Sequence, residues 1–170
     1  MRAGLFLYLS VMEYFDTYQS PIGFLTVCSD GESITRISFS EERQQGARSC
    51  PVVDSAINQL NEYFSGERLN FDIPLNPSGT GFQKKVWNEL GTIPFGQTIS
   101  YRNIAIRIGD VKTIRAVGTA NGKNPVAIVI PCHRVIGADG KLVGYAGGLW
   151  RKKWLLNHEA NFNPVKNTLF

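Results

Sequence analysis

At 170 residues, 43% hydrophobic and 19% charged, the chain has the composition of a globular protein of one compact unit or two small ones, which argues against disorder. No stretch reads as a transmembrane span, and the three cysteines (Cys28, Cys50 and Cys132) form no CxxC or Cys/His pair at zinc-finger spacing. At least one thiol is unpaired, so a reducing cytoplasmic setting fits best, and neither a metal nor a cofactor is expected. The net charge of +4 is unevenly placed: residues 1 to 78 carry 5 Lys and Arg against 10 Asp and Glu, and residues 79 to 170 carry 13 against 4. The second part is the candidate for a polyanion partner, with a solvated basic face as the plain alternative.

Residues 1 to 11 hold a short apolar run that superficially looks like a secretory signal, but no small-residue cleavage site follows, and they read as an upstream extension with no role in the fold. Glu13 to Tyr18, Gly23 to Cys28 and Ile34 to Phe39 read as three strands of an antiparallel meander, separated by Ser20-Pro21-Ile22-Gly23 and Ser29-Asp30-Gly31 turns. Glu41 to Ser49 is a polar loop. Val53, Ile57, Leu60 and Phe64 then recur at helical spacing from Pro51 to Phe64, and Ser65-Gly66 stops the helix. This sheet-plus-helix unit carries no chemistry of its own, and its acidic balance argues against phosphate contact.

Asn76-Pro77-Ser78-Gly79 reads as a linker, dividing an N-terminal unit (residues 1–78) from a mainly helical C-terminal one (79–170) in an α+β protein. Thr80 and Gln83 have the spacing of a capping box, opening a helix with Phe82, Val86 and Leu90 on its core stripe and Ile93-Pro94-Phe95-Gly96 closing it. Ser100 to Gly109 reads as a short helix stopped by glycine, and Lys112 to Gly122 as a second. In a helix-turn-helix the second helix meets nucleic acid, and this one presents small residues suited to close approach, although many such pairs are only packed cores. Gly137-Ala138-Asp139-Gly140 reads as a turn, Gly144 to Gly148 as a loop whose glycines permit positive φ, Leu149 to His158 as a last amphipathic helix ending in Glu159, and Phe162 to Phe170 as a tail.

The chemistry concentrates in Asn124 to Gly137. Val126 to Ile130 is a continuous apolar run, the pattern of a strand buried on both faces, and Pro131 cannot donate to a ladder, so pairing is expected to end there. Cys132, His133 and Arg134 follow directly. On a regular strand Cys132 and His133 would point to opposite faces, so cooperation between them requires an irregular backbone or a bridging water, and both are expected. A neutral thiol with a pKa of about 8.5 is a poor nucleophile near neutral pH and needs a base, for which His133 is the neighbour; Glu159, Asp139 and Asp110 compete to orient it.

The run ending Pro131-Cys132-His133-Arg134-Val135 resembles the signature of the alkylguanine-DNA alkyltransferases. The resemblance extends in order through Ser100-Tyr101, Arg115-Ala116-Val117-Gly118, Asn124-Pro125, Gly144-Tyr145-Ala146-Gly147-Gly148 and Trp154-Leu155-Leu156-Asn157-His158-Glu159, covering most of residues 80 to 159, whereas residues 1 to 78 match only as a general pattern. It implies double-stranded DNA as partner, with no membrane, and guanine alkylated on its exocyclic oxygen (less well thymine) as substrate. The alkyl group would pass irreversibly to Cys132 in a single turnover by a monomer, acting alone or cooperatively along DNA. It also implies Glu159 as the carboxylate on His133, Tyr101 as proton donor to the leaving base, and Asn124 as a tie between the recognition helix and the active-site segment. Arg115 would fill the gap left by a flipped base, and Ala116, Thr119, Ala120, Asn121 and Lys123 would contact DNA. Arg134, Val135, Tyr145, Ala146 and Gly147 would form the substrate pocket, although Ala146 is commonly serine in that family. Asp110-Val111-Lys112-Thr113-Ile114 departs from the family's Gly/Ala/Pro-rich turn. Two rival readings are a cysteine hydrolase, which would turn over repeatedly, and a DNA-binding relative that recognises lesions without repairing them, which would lack the cysteine.

Overall fold

The computed structural model describes residues 13–163, so the expected extension and most of the expected tail lie outside the described residues. Strands β1 (Tyr14–Ser20), β2 (Gly23–Ser29) and β3 (Ile34–Ser40) form an antiparallel meander in chain order. Tyr14 pairs with Ser29 at one end of the first hairpin and Ser20 with Gly23 at the other, where φ of +110° at Gly23 closes a turn that a side chain would strain. The second hairpin sets Phe24 opposite Ser40, with an irregularity between Cys28 and Ser29.

Helix α1 (Pro51–Ser65) starts with proline at its first position and ends at Gly66, whose left-handed conformation lets its N–H reach the Tyr63 carbonyl. Val53, Ala56, Leu60 and Tyr63 form its buried stripe, against Leu25 and Val27 of β2 and Ile34 and Ile37 of β3. Beyond α1 the chain returns along β3, where Ile34 and Leu75 bridge in parallel.

Helix α2 (Gly81–Leu90) begins with the expected capping box: the Thr80 N–H donates to Gln83 Oε1 at 2.8 Å and the Gln83 N–H to Thr80 Oγ1 at 3.2 Å. Each side chain thereby satisfies a backbone donor that the first helical turn leaves free. Trp87 is buried beside Val86 and Leu90, and its indole N–H donates to the Ala120 carbonyl at 2.8 Å. Strand β4 (Ile99–Ser100) leads into α3 (Tyr101–Arg107), whose N-cap is Ser100. The departure in the following turn is accommodated by Asp110, which accepts from the Lys112 N–H at 2.8 Å and caps a 3-10 turn over Val111–Thr113. Helix α4 (Ile114–Gly122) therefore starts two residues later than the spacing predicts.

Two expectations are corrected. Val126 to Ile130 is not a strand: only Val126 pairs, bridging to Ile37, and the segment then coils into turns in which the Ile130 N–H donates to the Val126 carbonyl at 3.0 Å. Asn124 supplies the bonds a ladder would have given, accepting from the Val126 N–H at 3.0 Å and donating to the Ile130 carbonyl at 2.7 Å, so an apolar run is buried without being extended. Helix α5 (Leu149–Phe162) runs past Glu159 by almost a turn, so Glu159 lies within the helix and Phe162 belongs to it. One continuous core joins the sheet and α1 to Val86, Trp87 and Leu90 of α2, Val117 of α4 and Leu155 of α5.

Candidate active site

After the coiled segment, Cys132–Arg134 forms a single 3-10 turn, and Val135–Ile136 forms β5, parallel to β4. The tight turn supplies the irregular backbone that the adjacent thiol and imidazole require. Cys132, His133 and Arg134 are all buried, so their polar groups must be satisfied internally or be held for a reaction.

The carboxylate of Glu159, fully buried on α5, is the centre of this arrangement. It accepts from the Tyr63 hydroxyl at 2.9 Å, the Gly96 backbone N–H at 2.9 Å, and Arg134 Nε and Nη2, both at 2.9 Å, while His133 Nε2 lies 2.7 Å from Oε1. Arg134 Nη1 donates to the Ile93 carbonyl, and its guanidinium lies over the Phe95 ring. Burial alone would push the Glu159 carboxyl up, but the hydrogen bonds and charges of His133 and Arg134 outweigh it and hold the group well below the ordinary carboxylate range. For His133 burial wins: the imidazole is pushed down despite the Glu159 bond, with the Arg134 and Lys152 charges adding to the effect. An ionised carboxylate can only accept, so the proton between the two sits on His133 Nε2 and Nδ1 keeps its lone pair. That Nδ1 is buried and has no hydrogen-bond partner among the described residues.

On the other side of the 3-10 turn, Cys132 lies in the wall of a cavity of about 200 Å³. Tyr145, Ala146 and Gly147 line one part of it, Asn121, Asn124, Pro125 and Ala127 another, and Arg36, Ile37, Ser38 and Phe39 of β3 a third. Gly147 is required there, because a Cβ would lie 2.7 Å from the Phe39 ring. Burial pushes the Cys132 thiol up, opposed by a hydrogen bond from Asn124 and the charge of Lys152. Tyr101 donates to the Val143 carbonyl at 3.0 Å; burial and the Cys132 charge raise its phenol, while a hydrogen bond from Asn121 opposes them.

The expected site residues therefore separate. Cys132, Tyr145, Ala146, Gly147 and Asn124 share the cavity, while His133 and Glu159 stand behind the thiol. Arg134, expected in the substrate pocket, instead spends its guanidinium on Glu159 and Ile93, and Val135 is buried in β5 away from the cavity lining. On α4, Arg115, Ala116 and Thr119 are exposed, as is Lys123 just beyond it, but Ala120 and Asn121, expected on the DNA-facing surface, are buried. They occupy the inner side of the helix, where the Ala120 carbonyl meets Trp87 and the Asn121 amide reaches the Cys132 carbonyl at 3.4 Å.

Three groups escape sequence reading. Tyr63 and the Gly96 N–H bind Glu159 from distant parts of the chain, and nothing local marks them. Lys152 reads as part of a basic helical face, yet it is fully buried and donates to the Val143 and Gly144 carbonyls at 2.8 and 3.2 Å. Burial pushes its ammonium down to about 8, against the opposing Cys132 charge. Its spacing from Leu155 and Glu159, three and seven residues on, was the available signal, since all three share one stripe of α5.

The chain as a whole is similar to known proteins in sequence and in fold. Residues 14–77 match the family description "6-O-methylguanine DNA methyltransferase, ribonuclease-like domain" and residues 81–161 match "6-O-methylguanine DNA methyltransferase, DNA binding domain". The methylated-DNA–protein-cysteine methyltransferase of Mycobacterium bovis is 47% identical over 164 residues, covering 94% of this chain and 99% of that protein. The constitutive enzyme of that name from Bacillus subtilis is 42% identical over 158 residues, covering 87% and 96%. The crystal structure of Mycobacterium tuberculosis O6-methylguanine methyltransferase superposes with a TM-score of 0.82 at 46% identity, over 94% of this chain and 99% of that one. A structure of the Mycobacterium tuberculosis protein in complex with DNA gives 0.81 at 47% identity, over 92% and 99%. With both family descriptions matched in order and close relatives aligned along nearly their whole length, the chain belongs to the methylated-DNA–protein-cysteine methyltransferase family.

Proposed function

We propose that this protein repairs DNA by moving the alkyl group from the exocyclic oxygen of alkylated guanine, and less well thymine, irreversibly onto its own Cys132. The observation that carries the reading is the pairing of a cavity-wall thiol with a buried imidazole whose Nδ1 lone pair is unspent and whose Nε2 is fixed by an ionised Glu159. Burial disfavours the thiolate, so the proton has to leave to a base, and His133 Nδ1 takes it through a bridging water. The Cys132 sulfur then attacks the alkyl carbon in line; the S–C bond forms as the C–O bond breaks, and the bonding pair goes to the base. Tyr101 gives its proton to the leaving base as charge develops there, releasing the Val143 carbonyl to do so. The thioether product has no leaving route, so one protein molecule serves one lesion.

A base stacked in a duplex cannot reach a buried thiol and has to be rotated out, at a cost of a few kcal/mol. The exposed side of α4 supports docking in the minor groove, with Arg115 filling the gap and Ala116 and Thr119 allowing close approach; Lys123 adds a phosphate contact. Every group in this scheme comes from one chain, so a monomer suffices. The test is intact-protein mass after incubation with a duplex containing methylated guanine. A single added methyl, mapped to the Cys132 peptide and saturating at one per protein, is the expected result. Repeated turnover with no gain in protein mass would overturn the reading.

A further inference from the structure

Of the residues that donate to Glu159, Tyr63 alone comes from the sheet-plus-helix unit, which sequence reading leaves without chemistry of its own. Tyr63 is fully buried on the inner stripe of α1, and its ring is held on several sides, with the rings of His158, Phe64, Phe71 and Phe95 centred 5.2, 5.3, 5.5 and 6.0 Å away. The hydroxyl is therefore aimed at the carboxylate by packing. Burial and the Glu159 charge push the phenol well above its ordinary value, so it stays protonated and is always the donor. The two carboxylate oxygens are unequally loaded. Oε2 accepts from the Gly96 N–H and Arg134 Nε, both at 2.9 Å, which matches its two lone pairs. Oε1 accepts from the Tyr63 hydroxyl and Arg134 Nη2, both at 2.9 Å, and from His133 Nε2 at 2.7 Å. Three donors compete there for two lone pairs, and the share Tyr63 takes is withheld from His133.

We propose that Tyr63 is a positioning residue of the transfer site: by occupying part of Glu159 Oε1 it limits how strongly the carboxylate favours a second proton on His133, and so keeps the Nδ1 lone pair free for the thiol proton. The inference rests on the alkyl-transfer reading above. A carboxylate with no such competitor stabilises imidazolium, and an imidazolium has no lone pair with which to act as base. The other groups facing the pair act by charge. Arg134 on the 3-10 turn and Lys152 on α5 both oppose protonation of His133, and the Tyr145 phenol on the substrate loop lies in the field of Glu159. Tyr63 is neutral and acts at a single oxygen, so Tyr63→Phe removes its effect without changing the charge or the shape of the site.

The experiment compares the wild type with Tyr63→Phe in two ways. Single-turnover transfer from a saturating duplex containing methylated guanine is followed by intact mass against pH, and the imidazole is observed directly by NMR of protein labelled with 15N-histidine. The chain has two histidines, so His133→Gln assigns the signals. With its competitor gone, Oε1 should hold the imidazolium better. The acid limb of the rate profile should move to higher pH by about half a unit, a fraction of one hydrogen bond, and the His133 Nε2 proton should resonate further downfield as its bond to Glu159 strengthens. On the plateau above the limb the two proteins should transfer at similar rates. A merely structural role would slow transfer or lower the thermal midpoint while leaving both the limb and the resonance in place, and that result overturns the proposal, as does movement of either in the opposite direction. No methyl gain by the wild type at any pH would instead overturn the alkyl-transfer reading, and the NMR signal, which needs no DNA, keeps the two failures distinct.

Discussion

Two buried polar regions meet at the 3-10 turn of Cys132–Arg134, and they are built on opposite rules. Behind the turn, Glu159 collects hydrogen bonds from Tyr63, Gly96, Arg134 and His133, so that charge is matched and nearly every polar atom has a partner. In front of it, Asn121 Oδ1 and the Tyr145 hydroxyl lack partners among the described residues, and the Cys132 thiol sits in a cavity lined largely by apolar groups. Saturated networks hold a geometry, because any member that moves strands a charge. Unsaturated groups cost stability and persist where a ligand completes them. The difference marks the first region as the frame of the site and the second as its working face.

Replacing the nucleophile separates the two most sharply. Cys132→Ser should abolish alkyl transfer by intact mass while leaving duplex binding and the thermal midpoint close to wild type, whereas Cys28→Ser and Cys50→Ser should transfer normally. A large loss of stability in Cys132→Ser would mean that the thiol belongs to the frame. Next in size is Glu159→Gln, which strands the buried Arg134 guanidinium and should cost about 3–5 kcal/mol in urea unfolding as well as slowing transfer. If stability held while transfer fell, Glu159 would serve the chemistry alone.

Asn124→Ala tests the strap between the regions. It leaves the Val126 N–H and the Ile130 carbonyl without their side-chain partner, so stability should drop by about 1–3 kcal/mol and transfer should slow as the Cys132 turn loosens. Unaltered unfolding would show that backbone turns alone hold the segment. The smallest effect is expected from pH. The folded His133 imidazole is held below its ordinary value, so on acidification from pH 7.5 to 5.5 the unfolded chain takes up a proton near pH 6.5 more readily than the folded one, and stability falls. Glu159 works in the same direction lower down, its contribution present above the unfolded value of about 4.3 and lost as the pH falls toward the depressed folded value. His133→Gln should flatten the slope between pH 7.5 and 5.5, and a slope unchanged by that substitution would assign it to other groups.

Local signals made much of the molecule legible. The strand alternation and turns of the meander, the Pro51 start and Gly66 stop of α1, and the Thr80–Gln83 capping box depend on neighbours within a few residues, and the structure contains each of them. The adjacency of Cys132, His133 and Arg134 belongs to the sequence too, as does the ordered set of blocks that places the chain in its family. Periodicity failed where burial and extension part company: Val126 to Ile130 is as apolar as a central strand, but the Asn124 side chain replaces the ladder and lets the segment coil.

What only the tertiary structure decided is which face each functional residue turns to. Arg134 sits beside Cys132 in the chain yet serves Glu159, because a 3-10 turn sends successive side chains in different directions and a guanidinium this deeply buried needs a carboxylate. Asn121 lies on the helix that bears Arg115 but turns inward, since α4 packs against α2 and the Cys132 turn and leaves only part of its surface outside. Lys152, one of three consecutive basic residues, is the one on the stripe of Leu155 and Glu159 and is therefore buried against the Val143 and Gly144 carbonyls. Charge and residue type are properties of the chain, whereas burial depends on contacts between residues as far apart as Tyr63 and Glu159, which no local pattern records.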